Sequence, residues 1–269
     1  MNRSDATRIA GVVAAIGQPS LGDRIDRLVR SCCGFDMSCI FAFSERMQPV
    51  TIHDGYSRAV SRESIANYTN GGYLLDPFYV ASIGGEHSGI RRMSDLAPDC
   101  FNTSSFVISP IVHPCVSAEE GSLVEEVGFL IPLEQQITAT YSLMRLSGGV
   151  AFSDAEMRNL RTIEPLVCSL VTAHWQATRP ASHGQASDHE IESVAFRTAF
   201  KGCLTPTQQR VAKLILRGHS IASIAATLGI SEGTAKLHRT NLYRRLFISS
   251  QSELFLLFIE SIFALRCRF

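Results

Sequence analysis

Apolar residues return every three or four positions at Leu21, Ile25, Leu28, Val29 and Cys32, which is the spacing of one helix face. A shorter apolar patch ahead of them predicts another amphipathic helix at the start of the chain. The period then changes. Runs rich in β-branched and aromatic residues, "MSCIFAF" (37–43), "PVTIH" (49–53), a stretch near "SFVISPIV" (105–112), "EVGFLIPL" (126–133) and "ITATYSLMRL" (137–146), read as strands. Helical patterns lie between them at about 61–70 and 77–83. Ser153 and Glu156 carry the signature of a capping box, in which each side chain satisfies the other's orphan backbone N–H, so a long helix starts there. Pro165 is expected to kink or divide it. Strands at the two ends of a helical middle, with helices before and after, indicate an α+β fold with a mainly antiparallel sheet.

The pattern fades at 178–192, where "TRPASHGQASDHEIE" loses periodicity and gathers Pro, Gly, Ser and Asp, the composition of an exposed connection. Three parts are expected: a front domain over 1–178, a linker over 179–197 and a second domain over 198–269. At 269 residues the chain is long enough for two cores.

Punctuation in the last seventy residues is dense. Thr205 caps a helix with Pro206 at its first position and Gln208 closing a capping box; Val211, Leu214 and Ile215 point inward and Gly218 ends it. Ser220 caps the next helix, with Ile221, Ile224, Ala225 and Leu228 inward and Gly229 as the left-handed stop. Ser231 caps a third, in which Ala235, Leu242 and Leu246 face inward while Lys236, Thr240 and Arg244 recur every four residues on another face. Helix, tight glycine turn, helix with a cationic outer face: this is a helix-turn-helix pattern. "SSQSELFLLFIESIFALRCRF" predicts a fourth helix with one apolar stripe at Leu254, Leu257, Phe258 and Ile262 and a surplus stripe at Phe255, Ile259 and Phe263, the expected dimerisation face.

Charge sharpens this picture. The chain holds 25 Lys+Arg and 25 Asp+Glu, but residues 200–269 carry 10 of the former and 3 of the latter. The net charge of zero therefore hides a cationic C-terminal part beside an acidic front, as expected where cations gather for phosphate contacts. The DNA-facing set expected from the pattern is Thr205, Ser231, Thr234, Lys236, Leu237, Arg239, Thr240, Arg244 and Arg245.

The stretch "LTPTQQRVAKLILRGHSIASIAATLGISEGTAKLHRTNLYRRLFISSQSEL" resembles the DNA-binding domain of the LuxR family across about fifty residues without a gap. The resemblance implies an all-α four-helix LuxR-type helix-turn-helix domain in a dimeric transcription regulator, with Lys236 and Thr240 at the groove and Ala235 and Leu242 in the core. Gln208 stands where that family usually has glutamate and Ala212 where it usually has leucine. Gln208 still caps, but an ion pair from that position is in question.

Regulators of this family differ in their front halves. The acidic pair of a phosphorylated receiver is not apparent, and no GxxxxGK[ST] occurs. Lactone sensors of the family carry Trp and Tyr ahead of Asp-Pro; here Tyr68 precedes Asp76-Pro77, but the only tryptophan is Trp175. "GGYLLDPFYVAS" (71–82) resembles a segment in one group of LuxR-type regulators with a PAS/GAF-like sensory domain. Tyr73, Phe78 and Tyr79 are expected to wall a pocket in which Asp76 receives a cationic ligand such as an amine. The competing reading has Asp76-Pro77 start a helix while the aromatics fill the core. A further alternative is a ligand-independent regulator whose front domain only dimerises or recruits partners.

An enzyme is not expected. Gly55-Tyr56-Ser57-Arg58-Ala59 and Gly218-His219-Ser220-Ile221-Ala222 approach a nucleophile elbow, but Ser220 lies between two helices, and a parallel hydrolase sheet to support Ser57 with His113 and Asp154 is not indicated. None of the eight cysteines forms a CxxC pair or a zinc spacing, so buried thiols are expected, with vicinal Cys32 and Cys33 near Cys39 as a redox candidate. No cofactor motif is visible. No run approaches the length of a membrane helix, and the start lacks a leader's apolar core and cleavage site, so a cytoplasmic address is expected.

Overall fold

The computed structural model describes residues 3–45, 47–56, 62–84, 88–101, 123–134, 136–146, 148–178, 200 and 202–266. Contacts divide the chain into two compact units: the described residues of 1–60, 78–96 and 118–185 form one, and those of 61–77, 97–117 and 186–269 the other. The expected linker at 179–197 and the expected strand near 105–112 lie outside the described residues.

The first unit opens with α1 (Arg3–Val13) and α2 (Leu21–Val29), followed by strands β1 (Met37–Ser44) and β2 (Met47–Gly55). Helix α4 (Pro77–Ile83), strand β3 (Gly89–Arg92) and the single turn α5 (Met93–Leu96) come next, then β4 (Leu123–Pro132), β5 (Thr138–Leu146) and the long α6 (Asp154–Thr178). The five strands form one antiparallel sheet in the order β2-β1-β5-β4-β3. The short elements β3 and α5 escaped the sequence pattern. Helix α6 begins at the expected box, with Ser153 N–H donating to Glu156 Oε2 at 2.9 Å and Glu156 N–H to Ser153 Oγ at 3.3 Å. It is assigned as one helix through Pro165, whose carbonyl accepts the Ser169 hydroxyl at 2.8 Å.

One sheet face carries the core. Ile40, Val127, Phe129, Ile131, Ala139, Tyr141 and Leu143 pack with Leu21, Ile25, Leu28 and Val29 of α2 and Leu160, Val167, Leu170 and Val171 of α6. A polar knot lies within this layer. Ser38 Oγ donates to Asp26 Oδ2 at 2.6 Å, Tyr141 Oη donates to Oδ1 at 2.7 Å, and His53 Nε2 lies 3.3 Å from Oδ2 and 3.3 Å from Ser38 Oγ. Burial alone would raise the Asp26 carboxyl, but the hydrogen bonds from His53, Ser38 and Tyr141 hold it below the usual range. Gly22 permits this approach of α2: a Cβ there would fall 2.1 Å from His53 Cγ. Arg145 makes a second anchor, donating to the Gly34 carbonyl and to Glu156 Oε1 at 2.6 Å.

In the second unit, α3 (Arg62–Asn70) and a 3₁₀ turn (Gly72–Leu75) accompany four helices, α7 (Pro206–Leu216), α8 (Ile221–Leu228), α9 (Glu232–Leu246) and α10 (Gln251–Arg266). Every expected punctuation residue acts. Thr205 and Gln208 complete the capping box of α7, Ser220 and Ser231 cap α8 and α9, and Gly229 ends α8 at φ +65°. Val211, Ala212, Ile215, Ile224, Ala225, Ala235, Leu242, Leu254, Phe258 and Ile262 are buried.

Candidate nucleic-acid interface and sensory face

A 3.6-residue period places Lys236, Leu237, Thr240 and Arg244 on one side of α9, away from buried Ala235 and Leu242. All four are exposed, Leu237 by 59%, which is unusual for a leucine and leaves it open to contact. Arg239 is exposed on the flank. No ion pair engages Lys236, Arg239 or Arg244 among the described residues; Arg244 donates only to Asn241 Oδ1, at 3.0 Å. Arg239, Thr240, Tyr243 and Arg244 line an open groove of about 640 Å³ with Ile248, Ser249, Ser250 and Gln251.

The other expected DNA-facing residues divide by role. Ser231 Oγ accepts the Thr234 N–H at 3.1 Å and sits 2.9 Å from the Thr234 hydroxyl, which fixes the start of α9. Thr205 is exposed, with its hydroxyl accepting the Gln208 N–H at 3.3 Å. Arg245 turns to the flank opposite Arg239 and lies 3.3 Å from the Cys203 carbonyl and 3.4 Å from Gln208 Oε1. The Gln208 position thus does meet an arginine, through a neutral acceptor. Phe255 and Ile259 are only 1% and 2% exposed, so this stripe is not presented to solvent; the Phe263 side chain lies outside the described residues. Counting apolar stripes could not reveal what covers them.

The expected ligand residues separate between the two units. Tyr73 and Asp76 belong to the second, where Asp76 Oδ2 accepts the Tyr68 hydroxyl at 2.6 Å and the Tyr68 and Tyr73 rings meet edge to face at 6.4 Å. Phe78 and Tyr79 belong to the first and cover the sheet face opposite the core. A Cβ on Gly128 would fall 2.4 Å from Phe78 Cε1, and the Tyr79 ring meets Phe43 edge to face at 5.7 Å.

Strand alternation defines the remainder of this second face. Because Tyr141 points to Asp26, its neighbours Thr140 and Ser142 point the other way. Cross-strand register then sets Phe43 beside Thr138, Phe41 beside Thr140 and Leu130, Cys39 beside Ser142 and Gly128, and Met37 beside Met144 and Glu126. Thr138, Thr140, Ser142 and Glu126 are all buried, and Thr140 Oγ1 has no hydrogen-bond partner among the described residues. Polar side chains alternating with apolar ones along a strand resemble a solvated edge, so sequence reasoning passed over them.

The remaining chemical candidates do not assemble. Ser57 and His113 lie outside the described residues. Burial pushes the Cys33 and Cys168 thiols up to about 11, which leaves little thiolate for redox chemistry at neutral pH. Among the described residues no helix is long and apolar enough to cross a membrane.

The family model for bacterial regulatory proteins of the luxR family matches residues 203–258. A protein of Aeromonas salmonicida, named as an HTH-type transcriptional regulator in the exeN 3′ region, is 36% identical over 142 residues, which is 51% of this chain and 72% of that protein. Among solved structures, the VqsR LBD domain from Pseudomonas aeruginosa aligns over 66% of this chain and 99% of its own length, with a TM-score of 0.56 at 19% identity. Escherichia coli SdiA aligns over 91% of both chains with a TM-score of 0.41 at 14% identity.

Proposed function

The chain belongs to the LuxR family of bacterial regulatory proteins, and from that premise we propose that it binds a palindromic operator as a dimer under the control of a small molecule held on the second sheet face. It is a DNA-binding transcription regulator. The observation that carries the DNA contact is the exposed stripe Lys236, Leu237, Thr240 and Arg244 with Arg239 at its edge. Helix α9 enters the major groove, Leu237 and Thr240 meet base edges, and the cations hold phosphates on either side. Ser231, Thr234 and Thr205 support helix starts beside the duplex, while Arg245 positions α9 against α7. Along the chain the sensory domain runs over 1–178, the linker over 179–197 and the DNA-binding domain over 198–269, with the described residues of 61–77 and 97–117 grouped by their contacts with the last.

Sensing rests on the second sheet face. Aromatic side chains from α4 lie over buried hydroxyls, and Thr140 Oγ1 keeps unused hydrogen-bonding capacity. That combination supports a ligand with an apolar body and a hydrogen-bonding head. The expected carboxylate for an amine, Asp76, already accepts the Tyr68 hydroxyl.

Two experiments test the reading. Genomic fragments captured by the full chain should share an inverted repeat that a Lys236→Ala/Arg244→Ala protein does not enrich; equal enrichment by both would refute the α9 assignment. Thermal shifts against a metabolite library should yield a stabilising compound for wild type. Thr140→Val should lose that response while melting no lower unliganded, since it removes a buried hydroxyl that lacks a partner. A full response in Thr140→Val would refute the site.

A further inference from the structure

Residues 99–101 grip the glycine turn between α7 and α8. The Ser220 N–H donates to Asp99 Oδ1 at 2.8 Å, the Ser220 hydroxyl donates to Asp99 Oδ2, and the Cys100 N–H donates to the Gly218 carbonyl at 3.0 Å. Gly218 has φ +86°, and a Cβ there would fall 2.8 Å from the Phe101 Cα. Phe101 is 2% exposed while Asp99 is exposed. A strip lying well over a hundred positions away in the chain thus closes on the hinge of the helix-turn-helix.

Asp99 is not needed as the helix cap. The Ser220 hydroxyl already accepts the Ser223 N–H at 3.1 Å, and α8 has no acidic residue in its own first turn. The N-terminus of the first helix in such a motif lies where the motif crosses the DNA backbone, and helix N-termini receive phosphate oxygens through N–H groups and the helix dipole. We propose that the Asp99 carboxylate occupies the position of a backbone phosphate at the start of α8 and thereby restrains DNA binding until the strip 99–101 withdraws. The occupant it excludes is a DNA phosphate, accepted in its place by the Ser220 N–H and hydroxyl. The strip begins three residues after Leu96, the last residue of α5, so it is joined by a short length of chain to the β3–α5 edge of the sensory sheet.

The inference rests on the DNA-binding role and is tested on the full chain. A phosphate contact does not depend on sequence, so a fluorescent mixed-sequence duplex serves as probe, read by anisotropy across a salt series. Asp99→Ala should bind about two- to fivefold tighter than wild type, the worth of an anion at a helix N-terminus. Asp95→Ala, the same charge change at another exposed position, should shift binding by less than half as much. Amide exchange at Ser220 should quicken in Asp99→Ala without DNA, while amides of the β-sheet core exchange as in wild type. Equal tightening by both variants, weaker binding by Asp99→Ala, or unaltered exchange at Ser220 would overturn the proposal. Failure of all three proteins to bind the duplex at low salt would overturn the DNA-binding role, and the restraint with it.

Discussion

The salt dependence of operator binding tests the cationic stripe and the dimer together. Lys236, Arg239 and Arg244 are exposed, so one protomer offers three cations to one half-site and a dimer offers twice that number to two. Each neutralised phosphate on B-DNA contributes about −0.9 to the slope of log K against log salt, which gives about −5 for the dimer and about −3 for a lone protomer. Between roughly 50 and 200 mM salt, the dimer then loses about 2,000-fold in affinity and the protomer only about 40-fold. Lys236→Ala/Arg244→Ala removes two contacts per protomer and should bring the dimer slope to about −2. The assay is anisotropy on a captured operator fragment, with the end points checked by sedimentation. A slope near the single-protomer value would refute the dimer. A double variant with the wild-type slope would refute the orientation of α9.

Three further changes probe the local chemistry. Gln208→Glu makes an acceptor 3.0 Å from the Thr205 N–H and 3.4 Å from Arg245 anionic, so it should stabilise by about 1 kcal/mol at pH 7. The new carboxyl is depressed in the fold, so the gain is present above its unfolded value of about 4.3 and lost as pH falls through the folded one; denaturant midpoints that differ from wild type equally at pH 7 and pH 3 would refute this. The Arg145 guanidinium and the Ser153 N–H lower the Glu156 carboxyl to about 2. Its stabilising contribution is therefore present above about pH 4.5 and lost as pH falls toward 2, so Glu156→Gln should cost about 1–2 kcal/mol at pH 7 and become neutral near pH 2. A penalty independent of pH would show that packing, not charge, is lost. Phe247 ends α9 at φ +57° with 94% of its surface exposed, so Phe247→Gly should stabilise by about 1 kcal/mol in urea titrations; a loss of stability would show that the ring is held by contacts.

Legibility in the sequence followed the range of the interactions. Thr205, Gln208, Ser220, Gly229 and Ser231 act on backbone groups within four positions of themselves, so their residue types alone announced the ends of α7, α8 and α9. Strands β4 and β5 were legible because long apolar runs need a sheet to bury both faces. Strand β3 was not: its four residues hold a single buried apolar side chain, Ile90, and it exists by pairing with β4. Asp26 has no local signature, because the groups that satisfy it, Ser38, His53 and Tyr141, come from three strands. The Asp99 contact with Ser220 has no local signature for the same reason. Pro165 does not divide α6, in which Leu160, Val167 and Leu170 pack into the core on either side of it.

The two faces of the sheet are unequal in how readily they can move. On the core face, Tyr141 and Ser38 both donate to one half-buried carboxylate, and α2 reaches them only because Gly22 lacks a side chain. Shifting β5 relative to α2 would strip the Tyr141 hydrogen bond from this carboxylate, which costs about 1–3 kcal/mol. On the other face, α4 packs on the sheet through the Tyr79 ring at Phe43 and the seat of Phe78 over Gly128, contacts that as ring packing are less directional than hydrogen bonds to a carboxylate. A ligand bound at Thr140 would therefore do its work by moving α4 and the chain that follows it, while the sheet and α2 stay fixed. Along the chain, α4 is followed by β3, α5 and then Asp99, which contacts Ser220.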